Sequence, residues 1–403
     1  MTTLFQPYLT AGLTGTGGTI KDSPGDFLVE EIPAYLPSGS GEHCYLTIEK
    51  QGITTLEAIH RIARSLKVNE RDIGYAGMKD AVGITRQTIS VQWLTPEKAL
   101  GLDVDGVRVA SACRHGNKLK VGHLKGNRFQ VVVRGVCSTV SELVPPIVAL
   151  LIKRGVPNYF GYQRYGAQGN SHLIGLAMLR GEWQEAVDRL MGEPDAVRDE
   201  QWSVAIAAYQ SGARDEALRL FPRHCRGERD VLQRLCACPE APQKAFSVLH
   251  PRLKKMYLSA AQSFLFDQVV ARRIDTLDRI VTGDLAFKHL NGACFLVEDG
   301  AVEQERGDRF EISASGPMFG CKMKRVGGDV RQMEEEILTS AGITTDSFDM
   351  AGGLRMEGER RALRVPLEAV LWKCEGGDAL SLEFSLPRGS YATSVLREIT
   401  KTF

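Results

Sequence analysis

Apolar and polar residues alternate in several short stretches towards the two ends of the chain. Stretches of this kind occupy residues 44–48, 89–93 and 380–386, and residues 129–133 are rich in β-forming side chains. Because successive side chains of a strand point to opposite faces of a sheet, a period of two is typical of half-buried β-strands. The sequence therefore predicts four strands in the terminal regions.

A helical period appears once near the N-terminus and dominates the middle of the chain. Residues 54–57 fit a capping box, and apolar residues recur at helical spacing from 56 to 66. Longer helical patterns follow at 183–191, 215–220 and 253–274. This division predicts one α+β domain built from both ends of the chain and interrupted by an insertion. We assign residues 1–155, completed by 360–403, to the first domain and residues 156–359 to the insertion.

Composition and charge are those of a globular protein and set limits on its partners. The 403 residues are 43% hydrophobic and 25% charged, which excludes disordered and collagen-like chains. Fifty Lys and Arg against 49 Asp and Glu leave a net charge of +1, so any nucleic-acid binding must come from local patches. The longest apolar stretch, near 144–152, is too short for a membrane span, and the N-terminus lacks a signal-peptide pattern. We expect a soluble, cytoplasmic protein.

Several common kinds of site are excluded by spacing. The glycine-rich stretch 12–21 ends in Lys21 but fits neither a Walker A phosphate loop nor a dinucleotide fingerprint. Three of the nine cysteines lie together in residues 225–238, but their spacing matches no zinc site. We expect these cysteines to be structural thiols, and we expect no metal.

A loop with candidate catalytic chemistry lies between the predicted N-terminal helix and the next strand. In residues 74–87, glycines at 74, 77 and 83 surround Lys79 and Asp80. Asp80 can serve as a nucleophile or a general base if neighbouring cations hold it ionised. The alternative is a solvated pair of Lys79 and Asp80 on an ordinary surface loop.

A local excess of positive charge follows at residues 114–128. The segment contains no acidic residue and five cations, namely Arg114, Lys118, Lys120, Lys125 and Arg128. Glycines and amides between the cations can approach a phosphate backbone, so the segment is a candidate nucleic-acid contact. Phe129 follows directly and is either a core residue of its strand or a base-stacking residue.

Five blocks of the sequence, in the same order, resemble the TruD family of tRNA pseudouridine synthases. They are residues 17–27, 74–87, 118–129, 156–166 and 386–398. The resemblance implies an α+β catalytic domain with a central, mostly antiparallel sheet flanked by helices, interrupted by a large inserted α+β domain, the TRUD domain. It also implies isomerisation of uridine to pseudouridine in tRNA, typically at position 13, without cofactor or metal.

The resemblance further implies roles for individual residues. Asp80 falls on the family's catalytic aspartate, Lys21 on the cation that pairs with it, and Phe129 on the aromatic that stacks on the target base. Asn127 matches an amide that binds the flipped nucleotide or clasps a loop. We add Lys79 and the five cations of residues 114–128 as substrate-binding groups. The carboxylate can attack C1', attack C6 or abstract the 2' proton, and the sequence leaves these routes open.

We expect tRNA as the partner, no membrane contact, no obligate protein partner and a monomer. Residues 181–251 exceed the most compact family members. They can widen the tRNA contact, alter which RNAs are accepted or only enlarge the insertion, and the sequence favours the last of these. Two alternatives belong to other classes. One is a non-catalytic RNA-binding protein on the same scaffold. The other is an Asp-dependent phosphate-ester hydrolase, which needs a metal-binding acid cluster where only Asp72 lies near Asp80 in sequence.

Overall fold

The protein is described by a computed structural model that covers residues 5–79, 81–376 and 378–402. It contains two compact units. The sheet unit comprises residues 8–156 and 365–402 apart from the two internal gaps, and the helix-rich unit comprises residues 5–7 and 157–364. The sheet unit is thus assembled from two distant parts of the chain, and the first described residues group with the other unit.

Fifteen strands and thirteen helices are present in the described residues. In chain order the strands are β1 (Thr19–Ile20), β2 (Phe27–Pro33), β3 (His43–Gln51), β4 (Gly74–Tyr75), β5 (Ile84–Gln92), β6 (Val107–His115), β7 (Leu124–Arg134), β8 (Val156–Pro157), β9 (Leu285–Lys288), β10 (Cys294–Leu296), β11 (Ile312–Met318), β12 (Glu359–Ala362), β13 (Arg364–Val365), β14 (Glu368–Glu375) and β15 (Ala379–Pro387). The helices are α1 (Thr55–Leu66), α2 (Pro96–Leu100), α3 (Val140–Arg154), α4 (Ser171–Arg180), α5 (Trp183–Met191), α6 (Glu200–Gln210), α7 (Arg214–Leu220), α8 (Arg226–Ala237), α9 (Pro242–Ser247), α10 (Pro251–Arg272), α11 (Gly300–Asp308), α12 (Gly328–Ser340) and α13 (Ala392–Thr400).

The periodic stretches of the sequence coincide with these elements. The four predicted strands correspond to β3, β5, β7 and β15, and the four predicted helices correspond to α1, α5, α7 and α10. α1 begins as its capping pattern predicts, since Thr54 Oγ1 accepts a hydrogen bond from the Glu57 backbone N–H over 3.2 Å. One strand is shorter than predicted, because Trp93 has a left-handed backbone conformation (φ 60°) directly after β5 ends.

One nine-stranded sheet organises the sheet unit. Seven strands follow the order β14-β15-β7-β2-β5-β3-β6, while β1 pairs with β7 and β4 pairs with β5. β2 and β5 are parallel, and the other pairs of this sheet are antiparallel. The C-terminal strand β15 lies directly beside β7, so the last part of the chain supplies one edge of the sheet, β14 and β15.

Helices cover one face of this sheet. On β7, Phe129, Val131 and Val133 are at most 5% exposed, whereas Arg128 and Gln130, which point to the opposite face, are exposed. Buried side chains of α1, β3 and β5 form one apolar cluster, and α3 and α13 pack against each other. The predicted α+β class, with a mostly antiparallel sheet flanked by helices, is confirmed.

The helix-rich unit combines helices with a small sheet. Helices α4–α12 accompany an antiparallel sheet in the order β10-β9-β11-β12. The 22-residue α10 contacts α4, α12 and β11 and is the central element of the unit. Residues 181–251 form α5–α9. None of the helices among the described residues has the length and apolar character that a membrane crossing needs.

Candidate active site

Three phenylalanines form an aromatic cluster in the middle of the sheet unit. Phe129 on β7 pairs in register with Phe384 on β15, and their ring centroids lie 5.4 Å apart at an interplanar angle of 30°. Phe27, the first residue of β2, places its ring 6.4 Å from that of Phe129. All three residues are at most 8% exposed. Phe129 is therefore packed among aromatic side chains of the core.

Lys21 reaches the same cluster through an uncommon backbone conformation. It directly follows β1 and has a positive φ of 67°, a region that residues with side chains seldom occupy. Its Nζ lies 4.5 Å from the centroid of the Phe27 ring, which is a cation–π distance. Lys21 and Phe129 therefore lie against the same phenylalanine.

A salt bridge fastens the turn that carries Lys21 to strand β7. Arg134 donates two hydrogen bonds to the Asp26 carboxylate, from Nη2 over 2.6 Å and from Nε over 2.8 Å. The Ser23 backbone N–H donates a further bond to Asp26 over 2.9 Å. The Arg134 guanidinium lowers the pKa of Asp26 to about 2. The turn before β2 thus stays anchored throughout the physiological pH range.

The predicted catalytic loop is held tightly up to the residue before Asp80. Asp80 itself lies outside the described residues. The Lys79 backbone N–H donates to Thr55 Oγ1 over 2.8 Å, and Gln87 Nε2 donates to the Gly77 carbonyl over 3.3 Å. Thr55 Oγ1 in turn donates to Gln87 Oε1 over 2.8 Å. The start of α1 and the middle of β5 therefore fix the backbone on the N-terminal side of Asp80.

The side chain of Lys79 is buried against strand β2. Its Nζ lies 2.6 Å from Glu31 Oε1, and the two side chains are 9% and 3% exposed. The Thr88 backbone N–H donates to the other carboxylate oxygen over 3.0 Å. This placement differs from the predicted one, since an ammonium sealed against a carboxylate is not presented to RNA.

The far end of the loop is fixed at the start of β2. Gly83 has a positive φ of 100°, and a Cβ atom on it would collide with the Phe27 carbonyl oxygen. Only glycine fits this close approach without strain. Strand β2 therefore contacts the chain on both sides of Asp80 in sequence. Glu31 contacts Lys79, and Phe27 contacts Gly83.

Asn127 lies between two residues of this face. On β7 it pairs in register with Glu31 of β2 and with Leu386 of β15, so these side chains share one face of the sheet. Its Oδ1 is shielded from water and has no hydrogen-bond partner among the described residues. A buried polar atom without a partner is costly. Asn127 therefore offers an acceptor to a group that the described residues do not supply.

The family model and the fold agree on one assignment. The model described as tRNA pseudouridine synthase D (TruD) matches residues 4–399. The chain belongs to the TruD family. The prediction of a pseudouridine synthase, an isomerase that converts uridine to pseudouridine, is confirmed at the level of this family.

Individual relatives match along nearly the whole chain. The tRNA pseudouridine synthase D of Geotalea daltonii is 58% identical over 396 residues, which cover 98% of this chain and 100% of the relative. That of Geobacter metallireducens is 59% identical over 394 residues, covering 98% and 97%. A solved structure from Methanosarcina mazei, assigned to tRNA pseudouridine synthase D, has a TM-score of 0.84 at 26% identity and covers 98% of this chain and 96% of that chain.

The five cations of residues 114–128 are not equivalent in the structure. Arg114 Nη1 donates to the Gly41 carbonyl over 3.1 Å, and Lys118 Nζ donates to the Arg71 carbonyl. Arg128 lies 3.7 Å from Glu383. Lys120 and Lys125 are exposed, and neither has an ion-pair partner in the part of the chain that the structure describes. These two lysines are therefore the exposed cations of the segment that make no such contact among the described residues.

The C-terminal family block adjoins the basic segment. Pro387 pairs in register with Gly126 at the end of β15. Beyond it, the Arg388 backbone N–H donates to the Lys125 carbonyl over 3.1 Å, and Arg388 Nη1 donates to the Gly122 carbonyl over 2.6 Å. Residues 386–388 and 122–127, which are far apart in sequence, therefore form one surface of the sheet unit.

The described residues contain no candidate metal centre. No group of three or more His, Cys, Asp or Glu side chains in these ranges is placed to hold an ion. Cys225 is buried, and burial raises the pKa of its thiol to about 12, which disfavours the thiolate that binds metals. Cys225 therefore has the environment of a buried thiol.

Sequence reasoning did not single out Glu31, Phe27 or Phe384. Phe27 lies at the end of the first family block, and Phe384 lies in the clearest alternating strand. The period of two marks Phe384 as a buried strand residue, whereas Phe27 is named only by its place in the family block. Their meeting with Phe129 depends on strand order, which the periodic pattern does not contain.

Proposed function

We propose that this TruD-family chain isomerises uridine to pseudouridine in tRNA, at position 13, with Asp80 supplying the reacting carboxylate. The observation that carries the proposal is the convergence on strand β2. Lys21 and Phe129 both lie against Phe27, and the residues on either side of Asp80 are fixed to the same strand. A cation beside an apolar cluster offers surroundings that suit chemistry on a nucleobase.

The reaction requires the base to leave its sugar, turn and return. The C1'–N1 bond of uridine breaks, a C1'–C5 bond forms, and the proton lost from C5 is balanced by one gained at N1. Apart from this exchange of protons with water, no atom is added or lost and no electron is transferred, so we propose that no cofactor takes part. Asp80 serves by attacking C1', by attacking C6 or by taking the 2' proton.

We assign Lys21 and the aromatic cluster to the site in which that carboxylate reacts. An ammonium close to a carboxyl favours the ionised form, which keeps Asp80 ready to react. Phe27 and Phe129 form an apolar wall that excludes water and holds the detached uracil. Stacking of a base on an aromatic side chain is worth about 1–3 kcal/mol. Asn127 Oδ1 is suited to accept a hydrogen bond from the flipped nucleotide.

The tRNA must also be held while its target nucleotide leaves the helical stack. Base flipping costs a few kcal/mol, and contacts to the phosphate backbone offset it. We assign these contacts chiefly to Lys120 and Lys125, because both are exposed and unpaired in the described structure. Arg114, Lys118 and Arg128 contribute less, since each already meets a carbonyl or a carboxylate.

The test is tritium release from tRNA that carries uridine labelled at C5. Wild type releases label without added metal or nucleotide and in the presence of a chelator, and Asp80→Asn releases none while binding tRNA as wild type does. A tRNA with cytidine at position 13 yields no Asp80-dependent release. Substantial turnover by Asp80→Asn would remove Asp80 from this role. A wild type that binds tRNA but releases nothing would indicate an RNA-binding protein without this activity.

The proposal also covers the location and the oligomeric state of the protein. We propose that the protein is cytoplasmic. We also propose a monomer without an obligate protein partner, because one sheet unit contains every proposed catalytic residue. Light scattering at assay concentrations gives the mass of one 44.3 kDa chain. A stable dimer with full activity would contradict this part of the proposal alone.

A further inference from the structure

The ion pair between Glu31 and Lys79 is almost sealed from water. The side chains are 3% and 9% exposed, and Nζ and Oε1 are 2.6 Å apart. Removing two charges from water costs free energy that their attraction only partly returns, so well-packed hydrophobic residues often stabilise a protein equally well. A buried pair at this place therefore suggests a need for defined geometry rather than for stability.

The pair joins the middle of the sheet to the residue that precedes Asp80. Thr55 and Gln87 hold the backbone of this loop, whereas Glu31 holds a side chain. The loop is closely fitted to the pair, because a Cβ atom on Gly77 would lie 3.1 Å from Lys79 Nζ and 3.3 Å from Glu31 Oε1. A change in the pair is therefore transmitted directly to the loop backbone.

Glu31 also adjoins a second residue of the site. It pairs in register with Asn127, so the carboxylate lies on the same face of the sheet as the unpartnered Asn127 Oδ1. One carboxylate thus links the catalytic loop, strand β2 and the strand that carries Asn127 and Phe129.

We propose that Glu31 is a positioning residue of the synthase, which acts through Lys79 to fix the backbone immediately before Asp80. This inference rests on the proposed role of Asp80. A misplacement of a reacting group by about 1 Å can cost about 100-fold in rate. Loosening the pair therefore lowers kcat, whereas tRNA affinity is set by the exposed cations and stays the same.

The decisive variant replaces both partners, Glu31→Met with Lys79→Met. Two methionines of similar length fill the space without leaving a buried charge, so the melting temperature stays close to that of wild type. We expect kcat to fall by about 10- to 100-fold. The KM and the Kd for tRNA stay within about twofold of wild type, and circular dichroism remains unchanged.

A matched control exists in the helix-rich unit. Arg273 and Asp284 are 9% and 0% exposed, their Nη1 and Oδ1 are 2.9 Å apart, and the Val281 backbone N–H also donates to Asp284 over 2.9 Å. This pair reproduces the burial and the backbone contact of the Glu31 pair. The double variant Arg273→Met with Asp284→Met is expected to keep kcat within about twofold of wild type.

A second pair of variants keeps the test decisive if the double methionine variant does not fold. Glu31→Gln preserves the size of the side chain and an acceptor for Thr88, while Glu31→Asp preserves the charge with a shorter reach. Single-turnover rates are measured at saturating tRNA, well below each melting temperature. We expect Glu31→Gln to lose about tenfold in rate and Glu31→Asp to recover part of that loss.

A double methionine variant with the kcat of wild type would overturn the positioning role. If only Glu31→Gln folds, a wild-type kcat in that variant would overturn it. An equal fall in the Arg273 control would also overturn it, since the effect would then be general loosening. Failure of the proposed function is separate, because it shows as turnover by Asp80→Asn. An essential Asp80 together with an active double methionine variant removes Glu31 alone.

Discussion

Glu31 in the sheet unit and Asp267 in the helix-rich unit are both buried carboxylates that hold part of a family block in place. Glu31 faces the Lys79 ammonium and one backbone N–H, so its charge has an opposite charge beside it. Asp267 on α10 is 1% exposed and is held by donors that carry no charge. The same task is thus performed with and without an ion pair.

The surroundings of Asp267 make it a weaker acid. It accepts hydrogen bonds from Tyr165 Oη over 2.5 Å, from Gln6 Nε2 over 2.7 Å and from the Phe160 backbone N–H over 3.0 Å. Burial raises the pKa of Asp267 to about 7, although these bonds and the charge of Arg361 act in the opposite direction. The carboxyl that holds block 156–166 therefore changes its charge near neutral pH.

The two carboxylates differ in the kind of group that holds them. A carboxylate paired with an ammonium has an opposite charge in direct contact, which suits a loop next to a reacting group. A carboxylate held by neutral donors gains or loses a proton without losing all its bonds. Substitutions of the groups around Glu31 and around Asp267 should therefore differ in their effects.

The largest effect is expected when only one member of the ion pair is removed. Lys79→Met leaves the Glu31 carboxylate buried without its counter-charge, which typically costs about 3–5 kcal/mol of stability. Urea denaturation at pH 7 measures the change in the free energy of unfolding. The double variant with Glu31→Met serves as the control and restores most of the loss. A loss below about 1 kcal/mol for Lys79→Met would mean that water reaches the pair.

The second effect concerns the pH dependence that Asp267 introduces. The folded protein keeps the proton on Asp267 up to about pH 7, whereas the unfolded chain loses it near the ordinary value of 3.8. Stability from this group is therefore complete below about pH 4 and declines as the pH rises through 7. The full change corresponds to about 4 kcal/mol.

Comparison with Asp267→Asn isolates this contribution. Burial lowers the pKa of His172 to about 4, so that group reduces stability as the pH falls below its ordinary value of 6.5 and partly masks Asp267. Free energies of unfolding are measured at pH 5 and pH 8 for both proteins. The variant is expected to lose less stability than wild type between these two pH values. An identical pH dependence would contradict the assignment to Asp267.

A smaller effect is expected from Tyr165→Phe, which removes one neutral donor from Asp267. A hydrogen bond to a charged group contributes about 1.5–3 kcal/mol and one to a neutral group about 1 kcal/mol. The loss is therefore larger at pH 8, where Asp267 is ionised, than at pH 5. Unfolding at the two pH values measures it. Equal losses at both would show that Asp267 keeps one protonation state throughout.

Many strands and helices of the sheet unit can be predicted from the sequence, because their patterns involve residues that are neighbours along the chain. The period of two places β3, β5 and β15, the content of β-forming residues places β7, and the capping pattern at Thr54 begins α1. The family blocks likewise single out Lys21 and Phe129, which the structure brings to Phe27. These features depend on neighbouring residues or on a family pattern, so no knowledge of strand order is needed to find them.

The contacts that define the site are not local and were missed. Glu31 meets Lys79 only because β2 lies parallel to β5, and Phe384 meets Phe129 only because β15 lies beside β7. The role expected of Lys79 illustrates the consequence. A lysine next to the predicted catalytic residue suggested substrate binding, whereas its burial depends on a glutamate 48 positions away.

The smallest effect extends the contrast from buried to exposed lysines. Lys120→Ala and Lys125→Ala each remove one exposed cation, so each weakens tRNA binding by a few-fold. The slope of log affinity against log salt falls by about 0.7–0.9 for each phosphate that is no longer neutralised. Arg128→Ala changes the slope less, because Arg128 already lies 3.7 Å from Glu383. The double methionine variant at Glu31 and Lys79 keeps the wild-type slope, since a lysine sealed against a carboxylate displaces no counterion from RNA. A reduced slope in that variant would instead place Lys79 in contact with the tRNA.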